Sequence, residues 1–80
     1  MHELGLSRNI VAIVADHAGP RRVRRVRLAI GPRAAVERQS LLFCFDLAAQ
    51  GTVLEGAALE FDEADGDTFL VRHYEMTETA

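Results

Sequence analysis

Two alternating stretches, residues 22–31 and 54–63, flank a helical stretch at about 36–50, and nothing else in the chain narrows its fold as much. A strand, a crossover helix and a second strand in one sheet imply a parallel pair joined in the right-handed sense. In the first stretch Val26, Leu28 and Ile30 share one face, with Arg25, Arg27 and Ala29 on the other. Gly31-Pro32 ends it. In the crossover, Val36, Phe43, Cys44 and Leu47 form an apolar stripe widened by Leu41 and Phe45. Glu37 stands in its first turn, where the helix dipole favours an anion, and Gly51 is a natural residue to close it. In the second stretch Ala57, Leu59 and Phe61 face one way, and Ala58, Glu60 and Asp62 the other.

Upstream, a first helix is expected from His2 or Glu3 to His17. Leu6, Ile10, Ile13, Val14 and His17 fall on a single stripe, Glu3 occupies the first turn, and Gly19-Pro20 stops the helix. Downstream, residues 63–67 read as a hairpin turn. A two-residue Asp65-Gly66 loop sets Asp62 opposite Phe69 and Glu60 opposite Val71, mixing the faces. A three-residue loop with Gly66 left-handed puts Phe61 opposite Phe69 and Leu59 opposite Val71, which burial favours. In that register His73 shares the core-facing side as a half-buried packing residue rather than a ligand. Residues 77–80 are expected to fray. The element order is therefore α-β-α-β-β in one domain, residues 1–80.

With 80 residues, 49% hydrophobic and 26% charged, the chain has the composition of a small soluble globular domain. A formal charge of -3 argues against general affinity for nucleic acid or anionic membrane. The run from Ile10 to Ala15 is far too short to span a bilayer, and no signal peptide is visible. A single cysteine, Cys44, excludes an internal disulfide framework, fits a reducing cytoplasm and reads as a small core residue. The basic segment 21–27 lacks interleaved aromatics, and acidic residues on another strand stand ready to pair with it. Arg24, Arg25 and Arg27 therefore read as a solvated sheet face, with docking of an acidic protein partner as the other use. No phosphate loop, nucleophile triad or paired-cysteine zinc motif appears, so nothing nominates an enzyme.

The chemistry-bearing stretch is the start, Met1-His2-Glu3. The terminal amine of Met1, the deprotonated amide of His2 and the His2 imidazole can close a chelate, and the amide of Glu3 can complete four nitrogens in a plane. Such planar nitrogen sites suit Ni(II) or Cu(II). Met1 must be retained with its amine free, and the bulky His2 disfavours its removal. The ordinary use of a histidine at position 2 is a solvated terminal residue or a tag remnant.

Met1-His2-Glu3-Leu4-Gly5-Leu6 ahead of an amphipathic helix resembles the HypA/HybF family of nickel metallochaperones for [NiFe]-hydrogenase and, in some bacteria, urease. The likeness continues through Val26-Arg27-Leu28-Ala29-Ile30-Gly31, Val36-Glu37, residues 42–48, Gly51-Thr52, residues 55–60 and Leu70-Val71-Arg72. It implies two helices packed on a small three-stranded mixed sheet, an α+β arrangement of the α/β class. It also implies a Ni(2+) site at Met1, His2 and Glu3, a nickel-handling GTPase as partner, and a nickel-enzyme precursor as client. The family carries a zinc module with two Cys-x-x-Cys pairs between its last two core strands. Here Asp65-Gly66 stands in that place without those cysteines, so the module is absent at about 63–68 and no structural zinc is expected.

Two functions follow. In one, the chain is a metal-binding accessory protein that holds Ni(II) at its terminus and passes it on by contact. In the other, it is a protein-interaction module of the same fold, with metal delivery lost and the arginine strand as its contact surface, in a homodimer for example.

Overall fold

A computed structural model describes residues 2–77 of the chain. Helix α1 (Glu3–Ala18) is followed by strand β1 (Val23–Ile30), helix α2 (Arg38–Ala49), strand β2 (Ala58–Glu63) and strand β3 (Phe69–Met76). The expected order and mixed sheet are both present. Residues 78–80, the last part of the tail expected to fray, lie outside the described residues.

Strand β1 is the middle of the sheet, whose order is β2-β1-β3. It runs parallel to β2, as a crossover helix requires, with Val26 beside Leu59 and Leu28 beside Phe61. Its other edge pairs antiparallel with β3, placing Leu28 against Val71 and Ile30 against Phe69. This corrects the hairpin expectation, because β2 and β3 are not neighbours and neither register of that hairpin is used. The physical reason lies in β1, where Val26, Leu28 and Ala29 are all 0% exposed. A β2–β3 hairpin would leave this most buried strand with an open edge of unpaired backbone groups. Residues 64–68 instead cross over the end of β1. Gly66 does adopt the left-handed conformation expected of it, φ 61°, but in a crossing loop rather than a hairpin.

One face of the sheet packs under both helices. Val26, Leu28, Ile30 and Leu59, with the partly buried Phe61, Phe69, Val71, Tyr74 and Met76, join α1 and α2 in one apolar core. The β1–β3 register shifts between Arg27 and Leu28, so Arg72 is an extra residue on β3. That bulge hands the core side from Val71 to Tyr74 and leaves His73 beside Arg27. His73 is consequently exposed, a correction to its expected place on the core side.

Both helices present faces rotated from those expected. On α1 the buried residues are Glu3, Ser7, Ile10, Val11, Val14 and Ala18. Ile13 is 53% exposed and His17 is also exposed. The true stripe keeps helical spacing but passes through two polar residues, which an apolar pattern cannot register. On α2 the buried residues are Leu41, Phe45 and Ala49, one per turn. Phe43 is 66% and Leu47 46% exposed, and Cys44 is half-buried rather than fully in the core. The strand expected at 54–63 begins only at Ala58, because residues 51–56 form turns that bury Leu54.

Candidate metal-binding terminus

Each helix start carries a glutamate, and the two starts lie together. Glu37 precedes α2 as its N-cap, and its carboxylate accepts a hydrogen bond from the Ser40 amide at 2.8 Å. One carboxylate oxygen of Glu3, at the start of α1, accepts from the backbone N–H of Glu37 at 3.0 Å. One turn further on, the Ser7 hydroxyl donates to the Leu41 carbonyl at 3.4 Å. The helices thus run side by side in the same direction, with their positive ends adjacent and each met by an acid. A hydrogen bond from the amino terminus, and then one from the Glu37 amide, lower the Glu3 carboxyl to about 2.

His2 is the N-cap of α1, with φ -102° and ψ 37°. Its carbonyl accepts from the Leu6 amide at 2.8 Å, while its side chain is exposed and makes no capping bond. Met1, the first member of the expected chelate, lies outside the described residues. The Glu3 side chain is engaged in anchoring, so the donor Glu3 can offer a terminal chelate is its backbone nitrogen. Among the described residues, no group of three or more His, Cys, Asp or Glu side chains is placed to hold a metal ion. His17, at the far end of α1, stands roughly 22 Å along the helix axis from His2.

The anchor of Glu3 belongs to a segment that is itself pinned. Between β1 and α2 the chain passes from Gly31 to Glu37, with Ala35 in the left-handed region at φ 57°. The Gly31 amide donates to the Thr68 carbonyl at 2.8 Å, and the Arg33 amide to the Gly66 carbonyl at 2.7 Å. A methyl group on Gly31 would overlap the backbone of Asp65 and Gly66. The start of α1, the 31–37 segment and the crossing loop therefore share one end of the molecule. Sequence reasoning placed Glu3 and Glu37 each in a first helical turn but missed their contact. The signal available was a helical period that runs on through Ser7 to Glu3.

The arginines on the open face of the sheet are matched by acids, as expected. Arg27 bonds Asp62 at 2.6 Å and also bonds Glu60. Arg24 reaches Glu75 at 2.8 Å, and Arg25 lies between Glu60 and Glu75 at 3.5 Å from each. Arg72 adds a contact to Asp62 at 3.4 Å. The Arg27 guanidinium is held protonated most strongly by Asp62. A face laced in this way presents little uncompensated positive charge to a nucleic acid.

The family model described as hydrogenase/urease nickel incorporation, metallochaperone, hypA matches residues 1–69. A hydrogenase maturation factor HypA of Trichormus variabilis is 54% identical over 66 residues, covering 82% of this chain and 58% of that protein. The HypA of Trichodesmium erythraeum is 53% identical over the same shares. The chain thus spans under two thirds of the length of these relatives. The solution structure of the Ni metallochaperone HypA from Helicobacter pylori superposes with a TM-score of 0.79 at 15% identity. That superposition covers 95% of this chain and 97% of the other, and it establishes the fold.

Proposed function

This chain belongs to the HypA family of hydrogenase and urease nickel-incorporation metallochaperones, and we propose that it holds Ni(II) at its amino terminus and passes it to a nickel enzyme under maturation. The donors are the Met1 amine, the His2 amide and imidazole, and the Glu3 amide. One observation carries the assignment: α1 begins at Glu3 with His2 as its exposed cap. Amides of a first helical turn stand outside the ladder of helical hydrogen bonds. A metal can take backbone nitrogens there without unzipping the helix. With one imidazole as its only side-chain ligand and an open terminal position, the site releases its ion readily, as a delivery protein must.

The client is the large subunit of a [NiFe]-hydrogenase, or in some bacteria urease, and the accessory partner is a nickel-handling GTPase. Transfer takes place in the reducing cytoplasm, a homodimer is compatible with it, and no structural zinc is required. The test is a Ni(II) titration of tag-free protein whose unmodified Met1 is confirmed by mass spectrometry. We expect a one-to-one complex absorbing at about 400–450 nm, the region of square-planar nickel–amide coordination. His2→Ala should abolish it while the fold survives, since His2 is exposed. Unchanged affinity in that variant would sink the proposal.

A further inference from the structure

We infer that the β2–β3 crossing loop positions the nickel-binding terminus from a distance, acting through Gly31 and Glu37. The inference rests on the nickel assignment above and adds residues that touch no metal. Four contacts make the path. The crossing loop supplies the Gly66 and Thr68 carbonyls to the amides of Arg33 and Gly31. Gly31 lies so close to the loop that only a hydrogen fits on its α-carbon. Segment 31–37 then reaches Glu37, whose amide donates to the Glu3 carboxylate at 3.0 Å. Glu3 is itself 7% exposed, so the carboxylate side of this part-buried anchor is shielded from competing water.

The physical consequence is preorganisation. A chelate built on backbone nitrogens requires consecutive residues to be held in one plane, and a loose terminus loses more conformational freedom on closing it. Fixing the Glu3 side chain restricts the residue that carries the last nitrogen donor. Segment 31–37 also holds Ala35 at φ 57°, a conformation costly for a residue with a β-carbon. Such a segment keeps its shape only while both of its ends are tied, at Gly31 and at Glu37. Untying the Gly31 end therefore moves the Glu37 amide and slackens the terminus. Gly31, Gly66 and Glu37 are positioning residues.

A double-mutant cycle on the full chain separates positioning from general loosening. Ni(II) affinity is measured for the parent, Gly31→Ala, Glu3→Ala and the double variant, with absorbance reporting the coordination geometry. Gly31→Ala should weaken nickel binding about fivefold or more in the parent. It should change little when Glu3 is already alanine, because the path is then cut. Equal losses in both backgrounds, or no loss in either, would overturn the inference. Should Gly31→Ala fail to fold by circular dichroism, Gly66→Ala takes its place. It strains the left-handed φ of 61° and meets only the flexible Arg33 side chain. A parent that binds no nickel, or binds it indifferently to His2→Ala, would refute the assignment beneath; a His2-dependent site without coupling refutes this inference alone.

Discussion

Phe45→Ala should destabilise the domain by about 3–5 kcal/mol, the usual cost of removing a fully buried phenylalanine. Phe45 is 1% exposed and sits among Leu41, Ala49 and the β1 face in the core. A domain of this size has a margin of about 5–10 kcal/mol, so the loss takes much of it. Two positions earlier, Phe43→Ala should shift stability by no more than about 0.5 kcal/mol, because Phe43 is 66% exposed. Urea unfolding of the two variants measures both. Equal costs would mean that α2 is rotated from the face described here, toward the stripe that hydropathy alone suggests.

Shortening the crossing loop should have a comparable or larger effect. Removing Ala64, Asp67 and Thr68 would join Glu63 to Phe69 through Asp65-Gly66, the two-residue loop of an ordinary hairpin. In the structure Glu63 and Phe69 lie on opposite sides of Ile30. The connection therefore spans two strand spacings, about 10 Å. Two residues reach about that far only when fully extended, and they must also arch over the chain leaving β1 at Gly31. We expect β3 to detach from β1, with loss of cooperative urea unfolding and exposure of the Phe69, Val71, Tyr74 and Met76 face. A shortened variant that unfolds sharply at the parent's midpoint would mean that β3 pairs with β2 after all. The deletion also removes the Thr68 carbonyl that receives the Gly31 amide, so nickel affinity should fall alongside stability.

The proposed metal site could be stated from the sequence because the donors it invokes are contiguous. Met1, His2 and Glu3 need no tertiary structure to become neighbours, and the chelate they imply follows from chain order. The side-chain role of Glu3 was not legible. Its partner is a backbone amide 34 positions away, and nothing in the residues around Glu37 marks that amide as an acceptor's target. The arginine–acid ladder lay between these cases. Alternation put Arg25 and Arg27 on one face and Glu60 and Asp62 on one face, and a parallel β1–β2 pair set them side by side.

By itself the sequence determined the order of helices and strands, and that β1 and β2 lie parallel. Period-2 and period-3.6 patterns, glycine–proline stops and the handedness of a crossover are local rules that twenty or thirty residues satisfy on their own. Tertiary structure decided where β3 goes and which way each helix turns. The alternation of β3 fits a hairpin with β2 as well as a ladder with β1, and only closing both edges of the buried central strand distinguishes them. Helix rotation was likewise settled by the contact between α1 and α2. There the buried Ser7 and Glu3 gain backbone partners at Leu41 and Glu37, which outweighs the pull of Ile13, Phe43 and Leu47 toward the core.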